Sequence, residues 1–158
     1  SLLDTYKTET STSFGGYLGV TSCALHPSEH YITYTTETSK RIMRYDIINH
    51  EQMSDLYTLP EDEREFVFCL SYCADGLLLV TRGAKFEVID EKGCVVRTYP
   101  LEGRGWATIK ESIDGKHVFV SSFFSGTLLK IEKETGEIAN TRQVDVERAL
   151  AGVSEFMG

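Results

Sequence analysis

Hydrophobic runs broken by turn residues recur three times along the chain, in the segments Thr21–Leu59, Val67–Leu101 and Trp106–Val144. Aligning the acidic turn residues Glu29, Asp75 and Asp114 gives spacings of 46 and 39 residues. Repeats of this length are typical of propeller blades and longer than most helical solenoid repeats. The three acidic residues themselves fit a turn role, because Asp-Gly is a common hairpin signal.

Each repeat predicts four short strands. The acidic turn is followed by an apolar run, "YITY", "LLLV" or "HVFVS". Continuous apolar character fits a strand that is buried on both faces. The third strands are "RIMRYDI", "KFEVID" and "TLLKIE", and the fourth are "MSDLYTL", "CVVRTYPL" and "EIANTRQV". Each unit therefore reads as a four-stranded antiparallel meander.

These patterns predict an all-β fold, a single partial β-propeller over residues 1–158 with about three blades and one strand at each end. We expect an end strand, "LLDTYKT", and a lead-in within residues 1–20, and the first strand of a further blade at 151–158. The blades are expected at 21–60, 67–101 and 106–144.

Three blades do not close a ring, since propellers typically use four to eight. Sheet faces left open expose apolar surface and unpaired edges. We therefore expect the isolated chain not to be a stable closed monomer. The expected partner is another copy of the chain or the missing remainder of the propeller.

The third repeat, "SIDGKHVFVSSFFSGTLLKIEKETGEIANTRQV", is similar to the YVTN-type blade in its D-G-K, V-x-V-S, G-T and T-G elements. The same signature is found in NHL-like, virginiamycin-lyase-like and gluconolactonase-like propellers. The second repeat matches passably and the first more loosely. The WD-repeat signature is poor, because no Trp-Asp pair occurs. A blade motif identifies an architecture rather than an activity.

The resemblance implies a metal-dependent lactonase or lyase as an alternative function, with Ca or Zn as cofactor. In the gluconolactonase-like propellers the ion is held on the axis by Glu, Asp and Asn side chains. Here Asn49 and Asn140 fall in an outer hairpin and an outer strand, which leaves Glu111 and Glu155 as weak metal candidates. The lyase-like propellers need a histidine base, for which His26 is the best-placed residue.

The amino-acid composition limits the classes of partner that the chain is expected to bind. A net charge of -8 argues against nucleic acid and anionic membranes, which select basic surfaces. No apolar run reaches the roughly 20 residues of a membrane-spanning helix, and a cytoplasmic location is the default expectation. The four cysteines form no C-x-x-C pair, so we expect free thiols rather than a zinc site.

Two short motifs remain as candidate recognition residues. Phe123 and Phe124 in "SSFFSG" are adjacent, so they cannot both face one sheet surface, and at least one is expected to be exposed. Arg104 and Trp106 in "GRGW" form a second candidate cluster on an inter-blade loop. The sequence thus favours a non-enzymatic scaffold without a cofactor that binds a protein or small-molecule ligand through its loops.

Overall fold

The structure is a computed structural model that describes residues 4–10 and 19–144. Its regular elements are twelve strands in three four-stranded antiparallel sheets, each in sequential order. The strands are β1 (Val20–Leu25), β2 (Tyr31–Thr36), β3 (Arg41–Asp46), β4 (Glu51–Thr58), β5 (Cys69–Tyr72), β6 (Leu78–Arg82), β7 (Lys85–Ile89), β8 (Val95–Pro100), β9 (Trp106–Glu111), β10 (His117–Ser122), β11 (Thr127–Glu132) and β12 (Ile138–Gln143).

We call these sheets blade 1 (β1–β4), blade 2 (β5–β8) and blade 3 (β9–β12). The all-β class and the four-stranded antiparallel units are confirmed. No helix in the described part of the chain is long and apolar enough to cross a membrane.

The blades stack face to face. One apolar cluster joins blade 1 to blade 2 around Ile42, Leu70 and Val80, and a second joins blade 2 to blade 3 around Phe86 and Val120. Blade 2 is therefore covered on both faces. This explains the unbroken apolar runs of β6 and β7, whose side chains are almost all buried.

The first strands of the blades lie next to one another, with β5 in contact with both β1 and β9. In a propeller this is the position of the innermost strands, around the central axis. A shallow hollow of about 560 Å³ runs along these strands and is lined by Ser, Cys, Leu, Tyr, Thr and Lys side chains among others.

Turn residues behave as the repeats predict in blades 2 and 3. The carboxylates of Asp75 and Asp114 accept hydrogen bonds from the N–H groups of Leu77 and Lys116, two positions further along. The glycine that follows each aspartate has a positive φ of 87° or 70°, which favours glycine over other residues.

The expected end strand at Leu2–Thr8 is not formed in its described residues, 4–8, and the chain continues to residue 10 without strand pairing. This segment lies over the outward face of blade 1. There the N–H of Glu9 donates to Gln52 Oε1 at 3.1 Å, and the Tyr34 hydroxyl donates to the carbonyl of Glu9 at 2.9 Å. These side-chain contacts replace the backbone ladder that defines a strand. The strand expected at 151–158 lies outside the described residues.

Candidate ligand-binding cleft

Four connecting segments meet at the end of the molecule where the chain passes from one blade to the next. They are the β4–β5 and β8–β9 connections and the β6–β7 and β10–β11 turns. Between them lies a cleft of about 1000 Å³, at the upper end of the size range of small-molecule sites. Its lining includes all four candidate recognition residues: Arg104, Trp106, Phe123 and Phe124.

Aromatic side chains line the cleft at different depths. Phe124 and Phe68 are each 57% exposed, Phe123 is half-buried, and Trp106 is only 4% exposed. The rings of Phe123 and Phe124 meet edge to face with centroids 5.8 Å apart. The indole N–H of Trp106 is buried and has no hydrogen-bond partner in the described part of the chain. Trp106 therefore forms a wall of the cleft, whereas Phe124 and Phe68 are available to a ligand.

Backbone contacts hold the two candidate motifs together. The N–H of Phe123 donates to the carbonyl of Gly105 at 2.7 Å, and Ser122 Oγ donates to the carbonyl of Arg104 at 3.0 Å. Gly105 has a φ of 80°, and a Cβ added there would lie 2.4 Å from the ring of Phe124. The "GRGW" loop and the "SSFFSG" turn thus pack as one unit because residue 105 has no side chain.

A buried ion cluster fixes the other wall. The guanidinium of Arg82 donates in a fork to both carboxylate oxygens of Glu87, at 2.7 and 2.8 Å, and Nη1 donates to Glu63 at 2.8 Å. Arg82 and Glu87 are both buried. The hydrogen bond from Arg82 lowers the pKa of Glu63 to about 2. The cluster ties the β4–β5 connection, which carries Glu63, to the strands of blade 2.

Sequence reasoning missed this cluster. The available signal was a pair of opposite charges, Arg82 and Glu87, inside the apolar stretch "LLLVTRGAKFEVID". Charged residues are rarely buried unless they are paired, so their presence in two interior strands predicts a partner. Their third partner, Glu63, is distant in sequence from the pair, and no local pattern identifies it.

The cleft wall is also tightly packed around Glu65. The carboxylate of this residue pairs with Lys85 Nζ at 3.2 Å. Gly83 has a φ of 55°, and a Cβ added there would lie 2.0 Å from Glu65 Oε1. Three other charged residues line the cleft without a side-chain partner among residues 4–10 and 19–144: Asp62, Arg64 and Arg104.

The inner-strand carboxylate considered as a metal ligand has other partners. Glu111 Oε1 pairs with Lys133 Nζ at 2.6 Å, and Oε2 accepts a hydrogen bond from the N–H of Ala74 at 2.8 Å. Lys133 also pairs with Asp75 of blade 2 at 3.0 Å. Within the described ranges no group of three or more His, Cys, Asp or Glu side chains is placed to hold a metal ion. Glu155 lies outside those ranges. The described residues therefore do not fit an axial Ca or Zn ion.

His26 has a structural environment. Its Nδ1 accepts hydrogen bonds from the N–H groups of Ser28 and Glu29, at 3.3 and 3.0 Å, and so closes the β1–β2 turn. Its buried ring packs between Tyr31 and Tyr72, with both centroid distances at 4.8 Å. A nitrogen that caps a turn is not available to abstract a proton.

All four cysteines are free. Burial raises the pKa of the Cys73 thiol to about 12, which makes it a poor nucleophile.

No protein-family model and no curated protein sequence matches this chain. Solved structures do resemble it. A hydrazine synthase chain of Kuenenia stuttgartiensis has a TM-score of 0.69 at 13% identity, with 87% of this chain and 40% of that chain covered. The C-terminal WD40 domain of Sif2 has a TM-score of 0.64 at 12% identity, with coverages of 78% and 37%.

A protein of unknown function from Bacteroides caccae has a TM-score of 0.57 at 15% identity, with coverages of 79% and 46%. The chain thus spans less than half the length of each of these three structures. At such identities the likeness concerns the fold and not the activity. The chain has a β-propeller-like fold, represented in its described residues by three four-stranded blades.

Proposed function

We propose that this chain is a non-enzymatic propeller segment that binds a protein or ligand in the cleft between blades 2 and 3. Its ring is completed by another copy, another chain or a further segment. The observation that carries the proposal is the convergence of Arg104, Trp106, Phe123 and Phe124, from two separate motifs, on one cleft.

The composition of the cleft supports binding rather than catalysis. Exposed aromatic side chains and arginine are enriched where proteins recognise partners. The most deeply held charges of the wall, Arg82 and Glu87, neutralise each other and keep the loops in place. Neither side chain is left as an acid, base or nucleophile aimed into the space.

Completion of the ring is supported by the outward face of blade 3. Phe119 and Leu128 are half-buried there, beside a hollow of about 270 Å³. The outermost strand, β12, is exposed along its whole length. The opposite face of the same blade packs on blade 2 through apolar side chains. A further blade on the outward face would cover Phe119 and Leu128 in the same manner.

A neutral apolar dye tests the cleft, with the only tryptophan of the chain, Trp106, as the reporter. We expect N-phenyl-1-naphthylamine to quench Trp106 fluorescence and to gain emission by energy transfer. Phe124→Ser should remove most of this signal. Val96→Ser, which replaces an exposed apolar side chain on β8 outside the cleft, should leave it intact. Equal signals from the two variants would contradict a binding cleft at this position.

The state of association tests ring completion. Size-exclusion chromatography with light scattering should show a mass above that of the 17.8 kDa chain that rises with concentration. A sharp monomer peak together with cooperative unfolding would show that the three blades are sufficient by themselves. Near-stoichiometric calcium or zinc that is lost in Glu111→Gln would instead support the metal-dependent lactonase or lyase alternative.

A further inference from the structure

The contact between successive blades repeats at one fixed position. The hairpin before each fourth strand contains a residue with a positive φ: His50 in blade 1 at 59°, Gly93 in blade 2 at 81° and Gly136 in blade 3 at 77°. Six residues after the first of these stands Leu56, and six residues after the second stands Tyr99. Both of these fourth-strand residues lie against the hairpin of the next blade.

The two internal junctions show how close this contact is. A Cβ added to Gly93 would lie 2.0 Å from the carbonyl oxygen of Leu56, and one added to Gly136 would lie 2.4 Å from the ring of Tyr99. The Tyr99 hydroxyl also donates to the carbonyl of Lys133, in the same hairpin, at 2.6 Å. The fourth strand of each of these blades therefore packs on the hairpin of the blade that follows it.

The hairpin of blade 1 has no preceding blade in the described chain, and the segment 4–10 fills that position. The ring of Tyr6 stacks on the ring of His50, with centroids 3.8 Å apart and an interplanar angle of 3°. The ion pair of Glu9 with Arg41 at 2.9 Å holds the segment further along the blade. The segment thus lies on blade 1 as a fourth strand lies on the next blade at the two internal junctions.

The main chain of this segment still has a free edge. The N–H groups of Tyr6, Lys7 and Thr10 donate to no residue in the described ranges. Tyr6 is also 47% exposed, whereas the equivalent residues Leu56 and Tyr99 are 8% and 9% exposed. A neighbouring strand would pair with these main-chain groups and cover the open side of the ring.

The missing neighbour is the rest of a blade, and neither this chain nor a second copy supplies it. All twelve described strands already belong to four-stranded blades, and residues 145–158 are too few for three more strands of about 5–6 residues with their turns. Blade 3 of a second copy carries its own fourth strand, β12, which would need the place of the segment 4–10. Resting on the proposed completion of the ring, we propose that residues 4–10 are the fourth strand of a blade whose first three strands come from a partner polypeptide other than a second copy.

The third strand and hairpin of blade 3 serve as the probe. Their sequence, residues 127–136, is fused to Ser1 of the full chain, so that the added glycine precedes Tyr6 by the same six residues as in blades 1 and 2. Fusion gives the probe strand a high effective concentration, so a low affinity does not hide the pairing. We expect alternate main-chain amides of residues 4–8 to exchange with deuterium at least about tenfold more slowly than in the unfused chain.

Two controls separate strand pairing from a general effect of the extension. One serine inserted between the added glycine and Ser1 shifts the register by one residue, which turns the side chain of Tyr6 away from His50, and should remove most of the protection. In the in-register fusion, Tyr6→Ser should also remove most of it, whereas Lys7→Ser, a change at the neighbouring exposed residue, should retain it. Circular dichroism verifies that each protein is folded.

Equal protection in the in-register and shifted fusions, or no protection in either, would overturn the inference. Equal effects of Tyr6→Ser and Lys7→Ser would do the same. If the unfused chain self-associates as proposed and the amides of the fusion stay unprotected, only this inference fails. An unfused chain that is a sharp monomer with cooperative unfolding, together with unprotected amides in the fusion, would contradict the completion of the ring as well.

Discussion

The two terminal blades each have one face that no neighbouring blade of the described chain covers, and the two faces differ. On blade 1 this face carries Tyr34, Met43 and Tyr45, all buried, with the segment 4–10 lying over it. On blade 3 it carries half-buried Phe119 and Leu128. Blade 1 thus has a small core of its own on its outward side, whereas the outward side of blade 3 is still partly open.

Charge distinguishes the faces as well. On blade 1 the guanidinium of Arg41 binds Asp55 at 2.5 and 2.8 Å and Glu9 at 2.9 Å, so the segment is attached by an ion pair. On blade 3 the residues Lys110, Phe119, Lys130 and Asn140 face one another across the four strands. Neither lysine of this row has a carboxylate partner among residues 4–10 and 19–144. Blades with similar sequence patterns therefore differ in whether other parts of the described chain cover their outward face.

The largest expected effect is on the apolar core of the covered face. Met43 is fully buried, so Met43→Ala should lower the free energy of unfolding by about 2–5 kcal/mol. Leu128→Ala, the matched truncation on the half-open face, should cost about 1 kcal/mol or less, because less apolar area leaves water on folding. Urea denaturation followed by circular dichroism measures both values. Equal losses would show that the two faces are covered to the same degree.

Much of this fold could be predicted from the sequence, because the turns and strands of each repeat depend mainly on residues that are close in sequence. Asp-Gly turns and apolar runs of strand length recur at blade-like spacing, and they predict three four-stranded meanders. The first blade departs from the pattern at "PSEHYITY". There the N–H groups of the turn bond to His26 rather than to an aspartate. No local rule assigns that role to a histidine.

The site was predicted in part. Adjacency of Phe123 and Phe124 indicated that one ring is exposed, and Phe124 is. The meeting of "GRGW" with "SSFFSG" depends on the register of β9 and β10, which places Trp106 opposite Ser122 at a bulge. Trp106 lines the cleft, but its side chain is buried in the wall. Register and loop packing are tertiary properties, and the pattern of one strand does not contain them.

The next effect concerns the ion pair on blade 1. Arg41→Gln leaves Asp55 and Glu9 without their common partner, and we expect a loss of about 1–3 kcal/mol in the free energy of unfolding. Lys130→Gln on the open face removes a charge with no carboxylate partner in the described ranges and should change stability by less than about 0.5 kcal/mol. An equal loss of unfolding free energy in Lys130→Gln and Arg41→Gln would contradict the difference between the two faces. High salt should reduce the difference between the two losses of unfolding free energy, since it screens partly exposed ion pairs.

A smaller effect tests whether the segment 4–10 contributes to the covered face. Tyr34→Phe removes the hydroxyl that donates to the carbonyl of Glu9 and to Gln52, at 2.9 and 3.0 Å. We expect a loss of about 0.5–1.5 kcal/mol, the net value of such hydrogen bonds. Tyr57→Phe is the control, because the hydroxyl of this half-buried residue makes no hydrogen bond within residues 4–10 and 19–144. Faster amide exchange at Glu9 in Tyr34→Phe alone would assign the loss to the segment.

The smallest expected effect is a pH-dependent contribution to stability from the first turn of blade 3, which the first turn of blade 1 lacks. In blade 3 the carboxylate of Asp114 accepts hydrogen bonds from Ser112 Oγ at 2.6 Å and from the N–H of Lys116 at 3.0 Å. These bonds lower its pKa from 3.8 to about 2. A carboxylate with a lowered pKa in the folded state stabilises the fold above its unfolded pKa, and this contribution disappears as the pH falls to the folded value.

The melting temperature of wild type should therefore exceed that of Asp114→Asn by a constant amount at neutral pH. The difference should shrink as the pH falls from 3.8 towards 2, the interval between the two pKa values. In blade 1 the equivalent turn bonds to His26 through the N–H of Glu29, and the Glu29 carboxylate accepts no hydrogen bond in the described part of the chain. A difference at Asp114 that stays level between pH 3.8 and 2 would show that its carboxylate contacts do not stabilise the turn of blade 3.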